Sequence, residues 1–419
     1  MTAIGRNGPI DIADRHETVR RANVELVFRV ISEHAPVSRT EVIRMTGLSK
    51  PTVLTVVAAL AEEGFIRDVP RSNGDIAPRG VGRVARAYEP NPAAAYVVGV
   101  DLGGTKVAVV LADLAGTVVA EVETATTRGG GAAVVAQIAE LAKSLAKQAA
   151  VAWSRIDAVC VGTPGVVNPD GTIRLADNVP GLDTVNVASA LRRLLRTSVH
   201  VENDVNLAAL GELEAGVATN HRTFALLSIG TGLGMGLVVD GNLVRGARGA
   251  AGEIAFLPLG ADPASEAARR RGAFELAASG SGVQSLLGVE LACTGRTSGS
   301  PLHRLSTARD VFEAAAAGDE LATRVVHRHA ATVADAILVV AALIDPELIV
   351  LGGGIGANQV LLVPVREAVQ RITPWAVRIE SSALGPRAGV IGAVQHARRS
   401  LPHLESARVS ERMQAGERS

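Results

Sequence analysis

A chain of 419 residues, 47% hydrophobic and 20% charged, with 42 Lys+Arg balanced by 42 Asp+Glu, has an ordinary globular composition and enough length for about two to four folding units. That composition excludes a disordered chain and a globally polybasic one, so any nucleic-acid contact has to be local. Two cysteines, Cys160 and Cys293, are too few for a disulfide framework or a Cys-rich zinc site. With neither an apolar leader nor an uninterrupted apolar run of about 18 residues, the chain is expected in the cytoplasm.

The first helix is predicted over 17–34, where Val24, Val27, Phe28 and Ile31 recur at i, i+3, i+4 and i+7 and form one apolar stripe. Ser38-Arg39-Thr40-Glu41 has the spacing of a capping box and starts a short helix over 39–46 that Gly47 ends. Ser49 then caps a third helix, with Val53, Val56, Val57 and Leu60 turned inward. Two short helices joined by a glycine turn are a helix-turn-helix, whose second helix presents its first residues to the major groove. The predicted DNA face comprises Arg39, Ser49, Lys50, Thr52 and Thr55. Phe65-Ile66-Arg67 and Ala87-Tyr88 frame a β-wing whose Arg79 and Arg83 reach phosphates or the minor groove. Residues 1–90 carry 13 Arg and Lys against 11 Asp and Glu, a net +2, so the expectation rests on clustering in the wing rather than on overall charge.

Near residue 90 a Pro/Gly-punctuated stretch gives way to the apolar run AYVVGVDLGG, the expected boundary between a winged helix-turn-helix domain (1–90) and an α/β body (91–400). Strands are predicted at 96–101, 106–112, 117–123, 156–162, 199–201, 223–229, 234–240 and 347–351. Helices are predicted at 132–152, 187–196, 204–215, 308–317, 319–343 and 360–372. Two Gly-punctuated hairpins, near 96–123 and 223–244, suggest a duplicated core of two lobes. Residues 401–419 read as a frayed polar tail.

Three glycine turns each follow a β-run: Asp101-Leu102-Gly103-Gly104-Thr105-Lys106, Gly230-Thr231-Gly232-Leu233-Gly234, and Gly352-Gly353-Gly354-Ile355-Gly356. Glycines there let backbone amides approach phosphate oxygens, with Asp101 able to hold a metal-bound water and Lys106 adding charge. None is a Walker A loop. Between the first two, Asn203-Asp204 opens an amphipathic helix. An Asp at such a junction can take a proton from a sugar hydroxyl, while a plain helix cap is the alternative reading. Glu253 and Glu275 are further hydroxyl acceptors or solvated carboxylates.

As a set these motifs resemble the ROK family (repressors, open reading frames and kinases) over essentially the whole chain. The resemblance implies an actin-like, two-lobed sugar-kinase fold with sugar and nucleotide in the cleft between lobes. It implies sugar contacts from Gly104, Asn178, Asn203, Asp204, Glu253 and Glu275, with Asp204 the catalytic base of any kinase activity. It implies nucleotide contacts from Asp101, Gly103, Gly104, Thr105, Lys106, Gly230, Thr231, Gly232, Gly234, Gly353 and Gly354. The segment SRTEVIRMTGLSKPTV looks like the head of the family's repressor branch, which includes xylose- and N-acetylglucosamine-responsive regulators. Two positions depart from the pattern. Phe256 stands where the family has a His, and PLGADPASEAARRRGAFE lacks its three closely spaced Cys, so zinc is not expected and a polar sugar contact is replaced by bulk. In the wing Gly82-Arg83-Val84 replaces the family's Gly-Arg-Pro. The expected function is a sugar-responsive repressor of carbohydrate genes, binding an inverted-repeat operator as a homodimer or homotetramer, with a sugar or sugar phosphate as effector and no cofactor required. The alternative is an ATP- and magnesium-dependent sugar kinase, or a protein that does both.

Overall fold

The computed structural model of the chain describes residues 12–70, 86–176, 178–294 and 300–401. The expected wing tip with Arg79 and Arg83, and the tail beyond 401, lie outside these residues. At the N-terminus are α1 (Ile12–His34), β1 (Val37–Ser38), α2 (Arg39–Thr46), α3 (Lys50–Glu62), β2 (Ile66–Pro70) and β3 (Arg86–Pro90). The capping box is formed: the Glu41 amide donates to Ser38 Oγ (3.3 Å) and the Ser38 amide to Glu41 Oε2 (2.8 Å). Gly47, at φ +66°, closes α2 in the left-handed region that favours glycine. Val27, Ile31, Val53, Val57 and Leu60 are fully buried between the helices, each removal from water worth about 1.5–3 kcal/mol. A small sheet ordered β1-β3-β2 closes this head; its first strand was not legible in the sequence.

The body begins with the antiparallel meander β4 (Tyr96–Leu102), β5 (Lys106–Asp113) and β6 (Val118–Ala125), then α4 (Gly131–Gln148) and β7 (Ile156–Thr163). A short ribbon, β8 (Val166–Val167) and β9 (Ile173–Arg174), leads to α5 (Val187–Leu195), β10 (Ser198–Asn203) and α6 (Asp204–Ala215). The second lobe holds β11 (Phe224–Ile229), β12 (Leu233–Val239) and β13 (Asn242–Leu243). Five helices follow: α7 (Glu266–Arg271), α8 (Ala273–Ala278), α9 (Gly280–Thr294), α10 (Ala308–Ala316) and α11 (Glu320–Ile344). The lobe is completed by β14 (Leu348–Gly352), α12 (Gly353–Gly356), α13 (Gln359–Ile372) and β15 (Ile379–Ser381). A last helix, α14 (388–401), returns to the first lobe.

The two five-stranded sheets run β6-β5-β4-β7-β10 and β13-β12-β11-β14-β15. In each, three antiparallel strands are followed by two added in parallel to the first, so the spatial order is third, second, first, fourth, fifth in both lobes. The duplication suggested by the paired hairpins is therefore present at the level of whole lobes. Sequence reading missed the short strands β8, β9, β13 and β15 and the helices α7 to α9 and α14. It also ran α4 on to residue 152, whereas the helix stops at Gln148. Among the described residues one helix, α11, is long and apolar enough to cross a bilayer by composition, but it buries Val325, Val333, Ile337 and Val340 in the core of the second lobe.

Helix α6 passes from the first lobe toward the second and packs on α14, backbone against backbone at Gly211 and Gly392. A Cβ on Gly211 would collide with the Ala388 carbonyl, and one on Gly392 with that of Leu207. Leu207 and Leu210 of α6 share a single apolar cluster with Val390, Val394 and Leu401 of α14, Val97 and Val110 of the first sheet, and the helices of the head. The fully buried Glu212 ends this helix by accepting hydrogen bonds from the Val217 amide (2.9 Å), the Leu384 amide (3.1 Å) and Ser382 Oγ. That fixes the loop after β15 against α6.

Candidate functional site between the lobes

The parallel strand β10 ends at Asn203, and α6 starts there. Asn203 Oδ1 accepts from the amides of Val205 (2.9 Å) and Asn206 (3.0 Å), satisfying two of the free N–H groups at the helix start. Its Nδ2 donates to the Gly165 carbonyl (3.0 Å), leaving one N–H for a ligand. So the cap is Asn203, and Asp204, the first helical residue, is not needed for that task. Its carboxyl is held by local backbone amides, that of Val205 (Oδ1, 2.8 Å) and its own.

Asp204 is pushed up to about 7, chiefly by burial and then by the charge of Asp101. Asp101, at the end of β4, is pushed up to about 6 by burial, an effect that Lys106 opposes and Glu123 reinforces. Burial, with Glu275 adding repulsion, also raises Glu253. Three carboxyls that resist ionisation at one cleft are the arrangement expected where protons or hydroxyls are handled.

Three adjoining hollows make up the cleft. The first, about 340 Å³, is lined by Asn178, Asn203, Asp204, Glu253 and Glu275, with Phe256, Arg270 and Arg271 at its second-lobe side. The second, about 140 Å³, shares Asp204, Val205 and Ser228 with the first and adds Asp101, Gly352, Gly353 and Gly389. The third, about 880 Å³, shares Gly230 and Thr231 with the first and continues past Gly280, Thr307, Gly354 and Asn358. The first and third are of the size of small-ligand sites, about 300–1,000 Å³, and the second is a narrower extension that joins the first at Asp204.

Gly104 is exposed and lies against Asn178, whose carbonyl a Cβ there would approach to 2.7 Å. Gly103 hydrogen-bonds to the Lys106 carbonyl (2.9 Å), and the Thr105 carbonyl accepts from Thr126 (3.1 Å), so the first loop is a tight hairpin. Lys106 Nζ is paired with Glu123 Oε2 (2.8 Å) on the neighbouring strand and acts on Asp101 through its field. Gly230 donates to the Gly232 carbonyl (2.9 Å) and accepts from the Gly280 amide (2.8 Å); Gly234 lies against Val205 of α6. Gly353, at φ +76°, would drive a Cβ into the Ile229 carbonyl (2.5 Å), so only glycine fits where the third loop meets the second. Glu275 lines the first hollow, with Oε1 bound by Arg271 Nε (3.0 Å) and Oε2 by the Leu233 amide (3.2 Å). It braces the second glycine loop while lining the cavity, because α8 carries it directly under that loop.

In the head, Ser49 Oγ accepts from the Thr52 amide (3.3 Å), Thr55 Oγ1 donates to the Pro51 carbonyl (3.0 Å), and Lys50 stands exposed at the start of α3. The guanidinium of the half-buried Arg39 lies 5.2 Å over the ring of the buried Tyr88. Arg67 and Arg86 of the wing strands are paired with Glu89 (2.6 Å) and Asp68 (3.0 Å). Residues that sequence reading passed over include Ser228, Arg270 and Gly389 in the cleft, and Glu202 and Arg245 beside it. Only Glu202, adjacent to Asn203-Asp204, carried a local signal. No group of three or more His, Cys, Asp or Glu able to hold a metal occurs among the described residues.

Two topologically equivalent lobes, glycine turns at their inner strand ends and a carboxylate-lined cleft between them define a sugar-kinase-like, actin-like body, here preceded by a helix-turn-helix head. The ROK family model matches residues 97–400, and the chain belongs to that family. The IclR helix-turn-helix domain model matches residues 26–70. The chain is 33% identical to a glucokinase of Halalkalibacterium halodurans over 71% of its own length and 93% of the relative's. It is 27% identical to a xylose repressor of Bacillus subtilis, covering 64% of this chain and 68% of the relative. Among solved structures, a ROK family transcriptional regulator described as a homologue of the E. coli MLC protein superposes with a TM-score of 0.79 at 21% identity, covering 94% of this chain and 99% of the other. At that identity the likeness is one of fold.

Proposed function

We propose that the chain is a sugar-responsive DNA-binding transcriptional repressor of carbohydrate genes. The observation that carries this reading is the single apolar cluster joining the helix-turn-helix core to α6, the helix whose first residue lies in the cleft. A ligand that moves α6 thereby acts on the surface that supports the recognition helix. Lys50, with Ser49, Thr52 and Thr55, faces operator DNA, and pairing of two chains presents two such helices to an inverted repeat. The effector, a sugar or sugar phosphate, lies in the 340 Å³ hollow with hydroxyls on Glu253, Asn203 and Asn178. Phe256, 40% exposed at the cavity wall, gives it an apolar face to stack on. A two-decade change in operator affinity requires a coupling of about 2.7 kcal/mol between the two sites, since each decade is worth about 1.4 kcal/mol.

The test is binding of the protein to its own upstream DNA, titrated with D-xylose, D-glucose and their phosphates, with ADP release followed in parallel. Specific binding that one sugar relieves, with no ADP formed, is the expected result. Sugar-dependent ADP release without specific DNA binding would overturn it.

A second reading, ATP-dependent sugar phosphorylation, is favoured by Asp204. A buried carboxyl near 7 is poised to take a proton from a hydroxyl at neutral pH. The residues present fit a nucleotide: Gly354 and Asn358 in the large hollow beside an adenosine, Gly230 and Thr231 beside phosphates, and Asp101 toward a magnesium-bound water. When bound, the nucleotide supplies the transferable phosphoryl group. The chain itself would orient the hydroxyl through Asn203 and Glu253 and hold its proton on Asp204.

A further inference from the structure

We infer that Glu202 is the positioning residue that holds the two walls of the effector cleft in register. The inference rests on the reading of the cleft as a sugar site. Glu202 is the penultimate residue of β10 and 5% exposed, yet nothing in the chemistry above uses it. Its Oε1 accepts from the Asn203 amide (2.9 Å) and from Asn206 Nδ2 (2.9 Å), so it fixes the first-lobe wall on both sides of Asp204. Its Oε2 accepts from Arg245 Nε at 2.5 Å. Arg245 follows β13 in the second lobe, and its carbonyl accepts from the Ala251 amide (3.1 Å), closing the turn whose continuation delivers Glu253 to the cavity. The same turn touches the first lobe again at Gly249, φ +76°, where a Cβ would collide with the Val167 carbonyl.

One carboxylate thus receives the strand-to-helix junction on one oxygen and the Glu253 loop on the other. A nearly buried carboxylate needs its cationic partner, because an unpaired charge there carries the full cost of desolvation. Arg245 therefore does not leave cheaply, and the spacing between Asn203, Asp204 and Glu253 is set whether or not a ligand is present. Glu202 touches no ligand; it acts through Asn203 and Arg245.

Glu202→Gln retains the size and the acceptor for Asn203 and Asn206 but removes the charge that binds Arg245. Arg245→Met, at a half-exposed side chain, removes the guanidinium and keeps the stem, and supplies the test if Glu202→Gln does not fold. Amide exchange is measured in the sugar-free full-length protein. Each variant should exchange roughly tenfold faster over residues 245–253, and the double variant no faster than the quicker single one. Calorimetric titration with D-glucose and D-xylose should show the sugar that the native chain binds weakened roughly tenfold to hundredfold by either change, with the same non-additivity and partial recovery in Arg245→Lys. Unaltered exchange over 245–253, or losses that add in the double variant, would overturn the inference. Should the native chain bind neither sugar, D-glucose and D-xylose are excluded as effectors and the exchange measurement still decides the role of Glu202.

Discussion

Asp204 illustrates how a single side chain trades stability for chemistry. In the fold its carboxyl holds a proton up to about 7, whereas in the unfolded chain it loses it near 3.8. The stability it contributes is therefore fully present below 3.8 and is lost as pH rises through about 7, a difference of the order of a few kcal/mol by pH 8. Asp204→Asn, which cannot ionise, should raise the thermal midpoint at pH 8 and leave it nearly unchanged at pH 4, as calorimetry will show. The same variant should abolish any sugar-dependent ADP release, and in the native chain that rate should climb with pH through about 7, because the ionised form is the base. Glu253→Ala should cost the sugar response while DNA affinity without sugar persists. Lys50→Ala should do the reverse, reducing the salt slope of DNA binding by about one. Such side chains were legible because their neighbours in sequence are also their neighbours in space: Asn203 beside Asp204, Ser38 three residues before Glu41. Glu202 with Arg245, and Glu275 with Leu233, were not, since each pair is joined across more than forty residues by the packing of whole lobes.

At the scale of elements, β4, β5, β7, β11, β12 and β14 were readable to within a residue because their burial runs are nearly continuous. β15 was not: at three residues with a half-buried pattern, it is defined by its pairing with β14 and not by its own composition. The missed helix α8 follows Gly272, which offers no side-chain cap, α9 opens on Gly280 itself, and α14 follows a Gly-Pro turn. α14 is where the tightest packing lies. Gly392→Ala places a methyl against the Leu207 carbonyl, so the two helices must separate. The expected result is a loss of roughly 1–3 kcal/mol in denaturant unfolding. DNA affinity should weaken further than global stability alone accounts for, because the head rests on the same pair. An unchanged unfolding midpoint would show that α6 and α14 adapt without cost.

At the scale of the molecule, the sequence divides visibly at residue 90, but the hydrophobic core does not. Phe28, Val57 and Tyr88 of the head belong to one cluster with Val97, Ala112 and Leu114 of the body and with Val390 and Leu401 at the far end of the chain. Heating the full-length protein should accordingly melt the head and the first lobe in one transition, with the second lobe, built around its own cluster on α11, free to melt separately. Two calorimetric peaks with the head in the earlier one alone would contradict this. The shared core also bears on what happens when the halves are parted. A fragment starting at residue 91 would present the apolar side of its first sheet and of α14 to water, and by size-exclusion chromatography it should run as aggregates where the whole chain does not. The head is thus the solubility partner of the body as well as its reader of DNA, and damage to either half will first be seen as protein lost to the pellet.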